Sequence, residues 1–320
     1  MASLFQLVVM SIMAWIAVSA QTLSRLLLGP TLPSWTWRTE WAVAGARQMI
    51  AVAARHPDNW LMNAFGRRVA APLPPSLYGS IHVSRIRLGG VQSDRYFRLD
   101  RSPDVATLLY FHGGGYIFGN PGTHREFIAR LVNATDTVAY APRYRLAPEH
   151  KFPAAVDDGL DAYKALIDRG INPSTIIVCG DSAGGGLAMA TVHRARRSGI
   201  PLPGGIILFS PYLDLRHTAY TIPLNANTDY LPLKELETPN GWYVTADQLD
   251  DPEASPLRAD LHGFPRLLVF AGGAEMILDD SVRLKDHADA AGVDATLVIE
   301  PEMMHVWPAL VPWQPASKRT

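Results

Sequence analysis

Cys179-Gly180-Asp181-Ser182-Ala183-Gly184-Gly185-Gly186 is the stretch on which the reading of this chain turns. It follows an apolar, β-branched run, Thr175-Ile176-Ile177-Val178, and leads into a helical pattern, Leu187-Ala188-Met189-Ala190-Thr191-Val192. Strand, glycine turn and helix are the context in which G-x-S-x-G places a serine on a sharp elbow with its hydroxyl projecting from the turn. Gly180 and Gly184 stand two positions either side of Ser182, where a side chain would strike the neighbouring strand or helix. A helix beginning at the serine aims its free N–H groups at the reacting centre. A tight strand-to-helix connection without chemistry uses the same residues, so the rest of the chain must supply a base, a carboxylate and an oxyanion site.

The chain has 320 residues, enough for one large α/β domain with additions, or for two small domains. Its 48% hydrophobic content is that of a globular protein with a large core. A formal net charge of −1 gives no basis for a nucleic-acid partner. The single cysteine, Cys179, excludes an intramolecular disulfide and a zinc-type cluster, and reads as a small core residue.

No charged residue occurs before Arg25, and Leu4 to Ala20 is apolar apart from Gln6, Ser11 and Ser19. Continued to Leu28, the segment is long enough to cross a bilayer as a helix of roughly twenty residues. A signal anchor is the favoured reading. A cleaved signal peptide ending at Val18-Ser19-Ala20 lacks the usual positive n-region, and a helix buried in the protein or lying on a membrane is the third possibility. Trp35 to Ala54 reads as an amphipathic helix with Trp37, Trp41, Ala44 and Met49 among its apolar positions, and Asn59 to Phe65 as a shorter one. The Pro-rich link 71–75 closes the region.

Ile81 to Leu88 and Arg95 to Leu99 read as a hairpin at a sheet edge, turning around Gly89-Gly90. Val105 to Phe111 is a strand buried on both faces. It ends in His112-Gly113-Gly114-Gly115-Tyr116, whose glycines let the backbone approach a ligand with its N–H groups. Further strands are expected at Val138 to Tyr140, Ile206 to Ser210, Leu267 to Ala271 and Ala295 to Ile299, with helices between them. The result is a mostly parallel, doubly wound sheet. The expected division is an apolar segment over 1–28, a first cap part over 29–80, core over 81–213, a second cap insertion over 214–251 and core again over 252–320.

In a fold of this order the acid follows a late strand and the histidine the last one. After Leu267–Ala271 the first carboxylate is Glu275; Asp279 and Asp280 lie further on, at the start of a helix. After the last strand only His305 fits. The expected catalytic set is Ser182, Glu275 and His305, with Asp279 as fallback acid. Gly113, Gly114 and Ala183 are the expected oxyanion donors. No metal ligand set is expected.

Taken together, His112-Gly113-Gly114-Gly115, Tyr144-Arg145-Leu146-Ala147-Pro148-Glu149-His150, Gly180-Asp181-Ser182-Ala183-Gly184-Gly185, Ser255-Pro256-Leu257 and His305-Val306 resemble the hormone-sensitive-lipase-like esterases, the α/β-hydrolase-3 group. The resemblance covers roughly Ile81 to Trp307 and implies an α/β-hydrolase fold, a mostly parallel doubly wound sheet with a helical cap over the site. It implies hydrolysis of esters with short to medium acyl chains, a small-molecule ester as the partner, and no cofactor. Most members carry Asp-Pro-Leu at the acid position, where this chain has Glu275-Met276-Ile277. The apolar N-terminus looks more like the membrane-anchored eukaryotic arylacetamide deacetylases and steryl acetyl hydrolases. That likeness implies deacetylation of a lipophilic alcohol, membrane association through residues 4–28 and an endoplasmic-reticulum location, with secretion after signal cleavage as the alternative. An acyltransferase on the same triad and a non-catalytic ligand-binding relative are the other readings; a peptidase or amidase fits the glycine loop less well.

Overall fold

The computed structural model describes residues 2–55, 72–73, 75–77, 79–100, 106–231 and 241–320. The helix expected over 59–65 and residues 71 and 74 of the Pro-rich link lie outside them. Eight strands form one sheet in the order β1-β2-β4-β3-β5-β6-β7-β8. They are β1 (Ile81–Leu88), β2 (Val91–Arg98), β3 (Thr107–Phe111), β4 (Val138–Pro142), β5 (Ile176–Asp181), β6 (Gly205–Phe209), β7 (Leu267–Gly272) and β8 (Ala295–Glu300). From β4 through β8 every neighbouring pair is parallel, while β2 runs antiparallel to both β1 and β4. The hairpin is tighter than expected. Leu88 pairs with Val91, so β2 starts four residues before Arg95, and the two-residue turn has positive φ at both Gly89 and Gly90.

The sheet separates two cores. Along β3, Leu109 and Phe111 face one and Leu108 and Tyr110 the other, the period of two expected of a pleated strand. All five β3 residues are buried, each large apolar one contributing about 1.5–3 kcal/mol. Helix α3 (Arg125–Thr135) covers the Tyr110 face through Phe127, Ile128 and Val132. Helices α4 (Ala154–Asp168), α5 (Ala183–Arg197) and α6 (Leu278–Ala290) cover the other. The chain leaves β3 toward β4 and leaves β5 toward β6, in opposite directions along the sheet. A crevice therefore opens between the carboxyl ends of β3 and β5, the switch point of a doubly wound sheet. The glycine loop and the serine turn emerge at those two strand ends.

Helices α1 (Ala2–Leu28) and α2 (Trp37–Arg55) precede the sheet and pack on each other. Among the described residues no helix is long and apolar enough to cross a membrane, so the expected anchor gains no support. Polar contacts tie the end of α1 to the protein instead. Arg25 pairs with buried Glu40 at 2.7 Å, and the same carboxylate accepts the Thr31 N–H at 2.8 Å. The buried side of α2 also differs from expectation. Thr39, Glu40 and Val43 face inward, whereas Trp37 and Trp41 remain 37% and 42% exposed, with the Arg25 guanidinium over the Trp37 ring. Trp35, just before the helix, is the buried tryptophan. Its indole N–H donates to the Glu302 carbonyl at 2.6 Å, which pins the N-terminal region to the loop after β8.

Candidate active site

Ser182 ends β5 with φ 52 and ψ −123, a conformation that L-residues adopt at a cost of about 1–3 kcal/mol. Neighbouring strands hold it there. Its N–H donates to the Phe209 carbonyl at 2.9 Å, and its carbonyl accepts the Tyr212 N–H at 2.9 Å. The flanking glycines are required by contact: a Cβ on Gly180 would meet the Gly184 carbonyl, and one on Gly184 the Phe111 carbonyl. Helix α5 begins at Ala183, whose N–H has no carbonyl one turn earlier to bond.

The glycine loop is held from below by the residue preceding the serine. Asp181 Oδ1 accepts the Gly113 N–H at 3.0 Å and the Tyr110 hydroxyl; Oδ2 faces His124 Nε2 at 3.3 Å. Burial opposes the charge on Asp181, but His124 and the Tyr110 hydroxyl outweigh it, and its pKa is lowered. Burial likewise opposes charge on His124, and Asp181 outweighs it, so that pKa is raised. His112 is buried and pushed down to about 3, hence neutral. Its ring stacks on Tyr144 at 4.3 Å, and the Tyr144 hydroxyl donates to the His112 carbonyl at 2.6 Å.

This network corrects one expected oxyanion donor. The Gly113 N–H is already bonded to Asp181. Gly114, at φ 120, turns the loop; its carbonyl accepts from Ile117 and Phe118, while the N–H groups of Gly114 and Gly115 have no acceptor among the described residues. In the sequence the three glycines are equivalent, and the position of the Asp181 carboxylate distinguishes Gly113 from Gly114 and Gly115.

Glu275 and His305 come from the loops after β7 and β8, as their positions predict, and both are buried. His305 Nδ1 lies 3.7 Å from Glu275 Oε2, an ion-pair rather than a hydrogen-bond distance. The same oxygen accepts the Ser210 hydroxyl at 2.5 Å, and Ser210 Oγ accepts the Val306 N–H at 2.9 Å. Glu275 Oε1 and both ring nitrogens of His305 are buried without a hydrogen-bond partner among the described residues. Burial works against a charged imidazole; Glu275, with Asp229 and Asp181, outweighs it and raises the His305 pKa. Asp279 lies elsewhere, on the first turn of α6, 3.7 Å from Arg283. Tyr230, from the 214–251 insertion, sets its ring 5.7 Å from that of His305. Tyr243 stacks on Tyr116 at 3.9 Å. Among the described residues no cluster of acidic, histidine or cysteine side chains is arranged to hold a metal ion.

Comparison with known proteins agrees with this architecture. Residues 108–309 match a family described as alpha/beta hydrolase fold. An esterase of Acinetobacter venetianus is 36% identical, the match covering 75% of this chain and 79% of that protein. An acetyl-hydrolase of Streptomyces hygroscopicus is 38% identical over 68% of this chain and 73% of its own. The crystal structure of an esterase from the bacterial hormone-sensitive lipase family superposes with a TM-score of 0.77 at 35% identity, covering 87% of this chain and 94% of that one. These relatives are bacterial and lend nothing to the eukaryotic membrane-anchored subtype. The match over most of the sheet, with the fold and the serine turn it contains, means that this chain belongs to the α/β-hydrolase-3 family, the hormone-sensitive-lipase-like esterases.

Proposed function

We propose that the protein is a serine carboxylesterase in which Ser182, His305 and Glu275 act as nucleophile, base and acid. The observation that supports this reading is a buried His305, its ring nitrogens unpartnered among the described residues, beside Glu275 at 3.7 Å in a fold whose strained turn carries Ser182. Glu275 faces Nδ1 and fixes the ring proton there, which leaves Nε2 as the base. His305 takes the Ser182 hydroxyl proton as Oγ attacks the acyl carbonyl, then returns it to the departing alkoxide. Water, deprotonated by the same nitrogen, cleaves the acyl-enzyme and regenerates the serine. Gly114, Gly115 and Ala183 N–H groups receive the oxyanion, each worth about 3 kcal/mol. These chain groups are sufficient for the whole cycle.

The proposed substrate is a short-chain ester, with acetate as the favoured acyl group and a lipophilic alcohol as the leaving group. The acetyl-hydrolase relative supports the acyl part. The test is turnover of p-nitrophenyl esters from acetate to decanoate by the full chain and by Ser182→Ala. Rates should be greatest on the short chains and fall at least about 10³-fold in the variant. Turnover that survives Ser182→Ala would remove the serine mechanism. Product from an added alcohol in place of acid would assign the acyltransferase alternative.

A further inference from the structure

We infer that Asp229 is a positioning residue: its carboxylate ties the loop bearing Glu275 to the loop bearing His305. The inference rests on the triad reading above and names a residue outside that triad. Asp229 lies in the 214–251 insertion and is completely buried. Oδ2 accepts the Met276 N–H at 2.7 Å, one residue past Glu275. Oδ1 accepts the His305 N–H at 3.2 Å and the Tyr230 N–H at 2.8 Å. One side chain therefore bonds the backbone of both loops.

Its neighbours in the chain complete the grip. Asn225 Nδ2 donates to the Glu275 carbonyl at 2.8 Å, and Thr228 Oγ1 to the Ala274 carbonyl at 2.9 Å. Residues 225–229 thus hold the acid loop at three consecutive residues and the base loop at one. From outside, Arg47 on α2 donates Nε to the Asp229 carbonyl at 3.0 Å and Nη2 to the Asn227 carbonyl at 3.0 Å. The two loops are also joined by the Ala274 N–H on the Met303 carbonyl at 2.9 Å and by Ser210 between Glu275 and Val306, and Asp229 adds the side-chain bonds that reach Met276 and the His305 N–H.

A carboxylate here is an expensive choice for a purely structural brace. Burial lifts Asp229 to about 6, and Glu275 adds like-charge repulsion. The charge has a direction, however: with Glu275 and Asp181 it faces His305 and favours the imidazolium formed during turnover. Arg47 is the cation that faces Asp229 from α2. Position and charge make separate predictions.

The experiment compares Asp229→Asn and Asp229→Glu with wild type in the full chain, measuring kcat, KM and the pH profile of kcat/KM, with Ser182→Ala alongside. Asp229→Asn removes a negative charge near His305, so the imidazolium gives up its proton more readily and the acid limb moves to lower pH by about 0.5 unit. Its kcat should fall about tenfold with KM changed less than about threefold. Asp229→Glu keeps the charge and displaces it; kcat should fall with the acid limb unmoved. Wild-type kcat in Asp229→Asn, or a loss with the limb unmoved, overturns the inference. If Asp229→Asn does not fold by circular dichroism, Asp229→Glu decides alone: lowered kcat at unchanged KM supports the role, and kcat within twofold of wild type overturns it. Activity in Ser182→Ala would instead sink the esterase reading, whereas a dead Ser182→Ala beside a wild-type-like Asp229→Asn would sink only this inference.

Discussion

Two carboxylate–histidine pairs are buried under the carboxyl edge of the same sheet, Asp181 with His124 and Glu275 with His305. In the first, both carboxylate oxygens are used: Oδ1 by Tyr110 and Gly113, Oδ2 by His124. In the second, one carboxylate oxygen and both imidazole nitrogens lack hydrogen bonds among the described residues. A satisfied buried network rigidifies what it touches, whereas a pair with hydrogen-bonding capacity left over can take up a proton or a ligand group. The first pair holds the Gly113 loop, and the second is the one that the proposed mechanism draws on. The same two residue types are assigned opposite duties by the number of partners each is given.

The sharpest way to break this contrast is Glu275→Gln. If the pair is chemical, kcat should drop about 10³–10⁴-fold, since the amide no longer holds the required tautomer or stabilises the imidazolium. The thermal midpoint should move less than kcat, because the amide oxygen can still accept the Ser210 hydroxyl and only the 3.7 Å ion pair with His305 is lost. Asp279→Asn is the control, its carboxylate facing Arg283. Steady-state rates and a melting curve on both variants decide it; a larger kcat loss in Asp279→Asn would exchange their roles.

Asp181→Asn should give the opposite profile. Removing one partner of a buried pair costs about 3 kcal/mol, read as a lower urea midpoint at unchanged slope, while the folded fraction loses only about tenfold in kcat as the Gly113 loop relaxes. The pH dependence follows from the two shifts. His124 is raised, so its contribution is complete below the unfolded value of about 6.5 and is lost as pH rises through the folded one. Asp181 is lowered, so its contribution is complete above about 3.9 and is lost as pH falls through the folded value. The stability gap between wild type and Asp181→Asn should therefore be widest between about pH 4 and 6.5 and narrow on either side. A gap flat with pH would mean that the pair is not charged.

The serine turn, the glycine loop, Glu275 and His305 were legible because each is a local pattern at the end of an apolar strand. Their places follow from order along the chain, and the sheet topology repeats that order in space. What was not legible depends on distant partners. Ser210 meets Glu275 across 65 residues, and Asp229 meets His305 across 76. Nothing in Ala226-Asn227-Thr228-Asp229 marks a carboxylate that bonds two loops. Gly113 was misassigned because N–H direction is set by Asp181, not by the glycine itself. On α2 the apolar character of Trp37 and Trp41 does not mark the inward face. There Val43 and Trp35 fill the contact, and Trp37 lies under Arg25 at the surface.

A third buried carboxylate sharpens the contrast with the smallest effect. Asp280, on the first turn of α6, has no histidine. A single oxygen, Oδ2, accepts the N–H groups of Leu213 at 2.8 Å and Asp214 at 3.0 Å. Burial, with nearby Asp214, lifts its pKa to about 7. Because the folded value lies above the unfolded one, the native state binds the proton more tightly; stability from this group is greatest below about pH 4 and is lost as pH rises through 7. An asparagine carbonyl can accept both N–H groups from the position of Oδ2 and never has to ionise. Asp280→Asn should therefore be more stable than wild type at pH 8 by about 1–3 kcal/mol, with the difference shrinking toward zero at pH 4. Melting curves at the two pH values test this. A variant less stable at pH 8 would mean that two backbone N–H groups suffice to hold a buried charge, and a histidine partner would then no longer separate a structural carboxylate from a merely tolerated one.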